Sequence, residues 1–397
     1  MPPLTYLDHA ATTPLDERVF EAMLPYLRDR WGNPSSLYSH GRVARRALDE
    51  SRDTVAQVLG CRPSEVLFTS GGTESDNLAI KGVAFARRSE GTHLVTTTIE
   101  HHAVLHTFAW LEQWAGFEVS YVGVDQYGVV DLAELERVVR PGTTLVSMMM
   151  ANNEVGTIQP VSEAAVIAHR CGATFHTDAI QAAGALELDL AALGVDLLSL
   201  SGHKIYGPKG AGALYVKRGT PLLADAHGGG QERGLRAGTE NVAAIVGMAE
   251  ALRLAHEERS ARNAHDARLR DRLIQGILSS VSGARLTGHP TNRLPNSASF
   301  VFEDTDGESI LMDLDQYDIC ASSGSACTSG TLEVSHVLAA LGLTDQLARG
   351  SVRLTTGQAT DEDGVERLLA VMPSVVERVR SIMPMLLGNR EQAGIDR

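Results

Sequence analysis

Between residues 64 and 216 the chain alternates short apolar runs with stretches of helical periodicity. The runs EVLFTS, HLVTTT, FEVSYV, TLVSMMM, TFHTD, DLLSLS and GALYV read as strands. The segments between them read as helices, among them DLAELERVV, where Asp131 is placed to cap the first turn. Strands alternating with helices predict βαβ units and a mostly parallel sheet, in an α/β fold. In such sheets ligands bind beyond the carboxyl ends of the strands.

A helical pattern with few breakers runs from Thr239 to about Val281, long enough to cross from one domain to a second. Beyond it SASFVF, DICASS and SVRLTT mix with helical stretches such as EVSHVLAALG. This pattern predicts a smaller α+β domain, which the first dozen residues join. Two domains are the default at 397 residues. The expected division is 15–262 for the large domain, with 1–14 and 263–397 forming the small one.

Composition narrows the function classes. A net charge of −14 argues against nucleic-acid binding, because phosphate backbones require a basic face. No apolar run reaches the roughly 18 residues of a membrane span, and MPPLTYLDHA lacks the basic start and apolar core of a signal peptide. A cytoplasmic protein with no membrane partner is the expectation. Cys61, Cys171, Cys320 and Cys327 show neither C-x-x-C spacing nor disulfide density, so reduced thiols are expected. No metal-ligand spacing is found among the cysteines and histidines.

The candidate chemistry gathers at predicted strand ends. In FTSGGTESDN, Gly71 and Gly72 break a strand, and Thr73 opens a helix whose free N–H groups suit an anion. The G-x-x-x-x-G-K-[ST] order of a nucleotide triphosphatase is absent. In TFHTDAIQ, Asp178 ends a strand and Gln181 follows; in DLLSLSGHK, Ser201, His203 and Lys204 end another. A lysine is rarely buried without a partner, and a desolvated one is suited to Schiff-base chemistry. Phosphate donors, a carboxylate for a protonated ring nitrogen and an amine for an aldehyde are what pyridoxal 5'-phosphate requires.

The motifs YLDHAATTP, SGGTESDN, EHHAVL, NNEVGTIQP, HTDAIQ, SGHKIYGPKG, HGGGQERGLRAGT, SSGSACTSG and SVRLT stand in the order seen in NifS/IscS-type cysteine desulfurases. These belong to the class V aminotransferase group of fold-type I pyridoxal-phosphate enzymes. The resemblance spans Tyr6 to about Ala359. It implies a large domain with a mixed, mostly parallel sheet between helices, and a small α+β domain carrying a cysteine loop of the longer type.

The resemblance also implies roles. Lys204 matches the lysine that joins the cofactor aldehyde and then serves as base and acid at the substrate α-carbon. Asp178 matches the partner of the pyridine nitrogen, and His101 the residue stacked on the ring. Gly72, Thr73, Ser201 and His203 resemble the phosphate cradle. Thr239 resembles a threonine that reaches the phosphate of a partner subunit, which implies a homodimer. Asn153 and Gln181 resemble residues around the ring hydroxyl and the substrate amine. Arg353 resembles the holder of the substrate carboxylate, assisted by Asn33, whose own reading is equally a turn residue.

Cys327, in a run of small and polar residues with no apolar packing, resembles the nucleophile; the other three cysteines read as small buried apolar side chains. The implied reaction converts L-cysteine to L-alanine and leaves a persulfide on Cys327 for an acceptor protein. Iron–sulfur cluster assembly, tRNA thiolation and DNA phosphorothioation all draw on such enzymes. A selenocysteine lyase or another β-eliminating enzyme of the same fold is the alternative.

Overall fold

The computed structural model describes residues 4–323 and 334–393. The chain opens with β1 (Thr5–Tyr6), α1 (Glu17–Arg28) and α2 (Ser39–Leu59). Next come β2 (Val66–Thr69), α3 (Gly72–Ala86), β3 (His93–Thr97), α4 (His102–Ala115), β4 (Glu118–Val122) and α5 (Leu132–Val138). They are followed by β5 (Thr143–Ser147), α6 (Val161–Arg170), β6 (Thr174–Asp178), α7 (Leu190–Leu193), β7 (Leu197–Ser201) and β8 (Gly212–Val216). After α8 (Val242–Glu257) and α9 (Arg259–Ser280) stand β9 (Ala284–Leu286), β10 (Ser297–Phe302), α10 (Gly307–Asp315) and β11 (Ile319–Cys320). The last elements are α11 (His336–Ala340), α12 (Asp345–Arg349), β12 (Ser351–Thr355) and α13 (Glu362–Ala393).

Each predicted apolar run between residues 64 and 216 supplies a strand of one seven-stranded sheet, ordered β2-β8-β7-β6-β5-β3-β4. From β7 to β4 the pairing is parallel, and β8 runs antiparallel to both β2 and β7. Every residue of β2, β3, β5, β6 and β7 is buried, as expected for strands covered on both faces. Successive side chains divide between the faces. Val66 and Phe68 join Val19 and Met23 of α1, Val55 of α2 and Met248 of α8 in one core. Leu67, with Leu94, Leu145, Leu197 and Leu214, packs on the other face against α3 and α4. Asp131 caps α5 as predicted, accepting from Ala133 N and Glu134 N.

The second region is built on an antiparallel sheet, β12-β10-β9, and on a parallel pair, β1-β11. Leu7 from the N-terminal segment, Leu269 and Leu273 of α9, Phe300, Leu354 and Met372 form its core. Bridges from Asp8 to Thr355 and from Ser322 to Arg353 tie the two small sheets together.

The helix expected from Thr239 to about Val281 is two helices, α8 and α9, meeting at Glu258 (φ −94°, ψ 1°). The break lets α8 bury its apolar residues in the first core and α9 bury Leu269, Leu273 and Ile277 in the second. Glu258 holds the joint: its N–H bonds to Leu254 O, and its carboxylate pairs with Arg18 and Arg262. A smaller correction concerns Cys61, Cys171 and Cys320, which are half-buried rather than fully buried. Among the described residues, no helix is long and apolar enough to cross a membrane.

Candidate active site

The carboxyl ends of the parallel strands open onto a cavity of about 350 Å³. The start of α3 contributes Gly72 and Thr73, and the cap of α4 contributes His101. The end of β6 and its following turn bring Asp178 and Gln181, while β7 delivers Ser201 and then His203 and Lys204. Asn153 comes from the loop beyond β5, and Arg353 reaches in from β12. Ten of the sequence-derived candidates therefore meet in one cavity.

Lys204 is held by the N-terminal segment. Its Nζ donates to Ala10 O at 2.5 Å and Ala11 O at 2.8 Å. The same segment pins the loop that carries the lysine: Thr13 N and Oγ1 both donate to His203 O, and Tyr206 N donates to Thr13 Oγ1. His203 Nδ1 lies 3.2 Å from Thr12 Oγ1. Gln181 Nε2 donates to Ala10 O at 3.0 Å, so the strap also fixes the carboxamide at the cavity wall. Lys209, by contrast, is exposed in its turn.

Burial pushes the Asp178 carboxyl up to about 6, although the Ile180 N–H, bonded at 2.9 Å, and the Lys204 charge favour its anion. A cation placed against it would be strongly stabilised in this dry setting. His101 caps α4, its Nδ1 accepting from Ala103 N at 3.1 Å. Burial first, and then the Lys204 charge, push its imidazole down to about 4, so it is neutral at physiological pH. The same two causes, with Lys209 added, push His203 down to about 4.

Arg353 is only 3% exposed. Its Nη1 donates to Asn153 O and its Nη2 to Asp8 Oδ1, both at 2.8 Å. Its Nε has no hydrogen-bond partner among the described residues. Two expected residues stand apart. Asn33 is exposed, and its Oδ1 accepts from Ser35 N at 2.9 Å, closing a turn. Thr239 is also exposed, on a separate cleft shared with Ser70 and Arg236. Cys327 lies outside the described residues.

The donor set fits pyridoxal phosphate. An amine, a buried carboxylate and a helix start with flanking hydroxyls line one cavity. Gly72 meets the neighbouring turn closely: a Cβ there would fall 2.1 Å from Ile180 Cδ1 and 3.5 Å from Ser201 Cβ. The backbone of α3 is thereby brought against the ends of β6 and β7, where a phosphate would sit.

A doubly covered sheet with a lysine beyond β7 and a carboxylate ending β6 defines the class. The chain belongs to the aminotransferase class-V family, whose model matches residues 5–368. It is 50% identical to cysteine desulfurase IscS of Methanosarcina thermophila over 380 residues, covering 96% of this chain and 94% of that protein. A solved NifS-like protein superposes with a TM-score of 0.87 at 39% identity, over 96% of this chain and 100% of that one. SspA, solved in complex with cysteine, gives a TM-score of 0.78 at 36% identity, over 89% of this chain and 99% of that one.

Sequence reading missed Ala10 and Ala11, which act through backbone carbonyls, and Asp8, which orients Arg353. The signal was present in YLDHAATTP, a motif to which no residue role was attached. Asp76, Glu100 and Glu154, each buried near the site, were missed as well.

Proposed function

We propose that this chain is a pyridoxal-phosphate-dependent cysteine desulfurase that converts L-cysteine to L-alanine and passes sulfur through Cys327 to an acceptor protein. The observation that carries this reading is the convergence of Lys204, Asp178 and Arg353 on one cavity. The similarity to cysteine desulfurases along nearly the whole chain supports it.

Thr73, Ser201 and His203 would hold the cofactor phosphate, Asp178 the ring nitrogen and Lys204 the aldehyde carbon. When bound, the cofactor is an electron sink that lets the substrate's α-C–H bond break and its β-carbon release sulfur. Arg353 binds the substrate carboxylate with its planar fork. Lys204 takes the α-proton and later returns a proton to carbon. His101 and Gln181 border that path, and His101, being neutral, does not compete for the carboxylate.

Cys327 is assigned the nucleophile by its motif. Its thiolate attacks the substrate sulfur; the Cβ–S bond breaks as the S–S bond forms, and the electron pair left on carbon takes a proton. Cysteine and one enzyme thiol thus become alanine and one enzyme persulfide. The exposed Thr239, on a cleft separate from the cavity of its own chain, supports a homodimer in which it serves the partner's phosphate site.

The test is alanine and persulfide formation from L-cysteine by wild type and Cys327→Ser, with absorbance recorded alongside. The expected mutant keeps the bound cofactor and forms no persulfide. Sulfur release by the mutant at the wild-type rate would instead mark a β-eliminating lyase.

A further inference from the structure

Asp76 stands one turn into α3 from Thr73 and has no exposed surface. Among the described residues, neither of its carboxyl oxygens accepts a hydrogen bond of good geometry, and the Ser199 hydroxyl is the one neutral donor that acts on it. Its neighbours form an ordered polar set. His176 Nε2 lies 3.7 Å from Asp76 Oδ1, and both ring nitrogens are engaged, Nδ1 with Ser147 Oγ at 2.8 Å and Nε2 with Ser199 Oγ at 2.9 Å. Ser199 pairs in register with Asp178, and His176 shares a face of β6 with Asp178.

An ionised carboxylate in this position would have only the Ser199 hydroxyl in place of its water. Nor do the surrounding charges favour it: the groups that act on it are the carboxyls of Asp178 and Glu100, while His176 is neutral. Asp178 differs, because the Ile180 N–H and Lys204 support its anion.

We propose that Asp76 and Asp178 form a carboxyl pair carrying one negative charge, with the proton on Asp76 and the charge on Asp178. Asp76 is then a positioning residue for the contact between Asp178 and the ring nitrogen, and the proposal rests on that reading of Asp178. The hydrogen-bond order follows: Asp76 donates to Ser199 Oγ, Ser199 donates to His176 Nε2, and His176 Nδ1–H is donated to Ser147 Oγ. Two carboxyls in one dry site cannot both ionise without a large penalty. Burial and the Asp178 charge accordingly hold the Asp76 carboxyl well above the usual range, against a smaller opposing effect of the Ser199 hydroxyl.

The test is a pH titration of the visible absorbance of the cofactor-loaded enzyme, for wild type, Asp76→Asn, Asp76→Leu and Asp178→Asn. Asn reproduces a neutral donor, so its midpoint should stay within about half a unit of wild type. Leu leaves the Ser199 and His176 hydrogen bonds without their first donor, loosening the placement of Asp178 and weakening the countercharge at the ring. The Lys204 nitrogen should then keep its proton to higher pH, with a midpoint raised by about one unit, a tenfold change in proton affinity. A midpoint lowered by about one unit in Asp76→Asn would mean that an anion had been removed, and would overturn the proposal. An unmoved midpoint in Asp76→Leu would overturn it too. If Leu does not fold, the isosteric Asn variant decides alone. An unchanged midpoint in Asp178→Asn would show that the placement of Asp178 at the ring had failed, and the pair would fall with it.

Discussion

Arg353 and Asp8 are joined at 2.8 Å across 345 residues of chain, Nη2 of the guanidinium donating to the carboxylate. The bond fixes an arginine of β12 over a cavity whose other walls come from the N-terminal segment and from the strand ends, loops and helix starts of the seven-stranded sheet. With Nη1 on the Asn153 carbonyl, the guanidinium plane is set before any substrate arrives. Such preorganisation reduces the ordering cost of binding.

Arg353→Lys should therefore weaken substrate binding more than it slows chemistry. A lysine offers a point charge in place of the fork and cannot hold Asp8, Asn153 and a carboxylate together. Loss of a charge-assisted hydrogen bond costs about 1.5–3 kcal/mol, so KM for L-cysteine should rise roughly 10- to 150-fold with a smaller change in kcat. Asp8→Asn should raise KM less, because it frees the fork without removing it. Steady-state kinetics on the two variants checks both; an unchanged KM in Arg353→Lys would place the carboxylate elsewhere.

Gly212, having no side chain, lets the start of α3 approach the sheet closely. A Cβ there would lie 2.6 Å from the Gly71 carbonyl carbon and 2.6 Å from Thr69 Oγ1. The backbone atom cannot rotate away, so Gly212→Ala should push the Gly71–Gly72 turn outward and loosen the anion site. Cofactor affinity should fall at least about tenfold, about 1.4 kcal/mol, read as the free cofactor needed to restore absorbance to the stripped protein. Undiminished affinity would show that the turn tolerates the shift.

The sheet was legible because strands buried on both faces are written as unbroken apolar runs. Lys204, Asp178 and Thr73 were legible because each ends or follows such a run in a local motif. The joint at Glu258 was not: Glu and Arg are strong helix formers, and the break answers to two separate cores. The hold of Ala10 and Ala11 on Lys204 spans up to 194 residues and uses backbone carbonyls, which no side-chain pattern announces. Asp76 and Glu154 read as ordinary polar letters, since only packing reveals that they are buried.

Arg52 and Glu232 form a buried ion pair that anchors the segment leading to Thr239. The two bonds measure 2.8 and 2.5 Å, and Glu232 also accepts from Phe68 N at 3.0 Å. Glu232 adopts φ 43° and ψ 45°, a left-handed conformation held by these contacts. Removing one partner leaves the other charge buried and alone, which costs about 3–5 kcal/mol. Glu232→Ala should lower the denaturant midpoint accordingly. Arg52→Met with Glu232→Leu should recover part of the loss, because neither charge then remains. A double variant less stable than Glu232→Ala would mean that the bonds which Glu232 accepts from Phe68 N and Arg52 donates to Val66 O (2.7 Å), rather than the charges, hold the segment.

Glu154 gives the fold a pH dependence whose sign can be worked out. Burial raises its carboxyl from an ordinary 4.5 to about 7, against the hydrogen bond from Ser335 Oγ at 2.5 Å and the attraction of Arg353. Between those two values the unfolded chain has released the proton and the folded chain still holds it. The stabilising contribution is therefore complete below pH 4.5 and is lost as the pH rises through 7, by roughly 3 kcal/mol in all. Glu154→Gln cannot titrate and can still accept from Ser335 through its carbonyl oxygen. The loaded variant should gain on wild type between pH 5 and pH 8, its denaturant midpoint rising relative to wild type across that interval. Glu100, pushed up to about 8 by burial, titrates in both proteins and cancels in the difference. A difference that stays constant from pH 5 to pH 8 would mean that Glu154 is ionised throughout, and that Arg353 outweighs the loss of water around it.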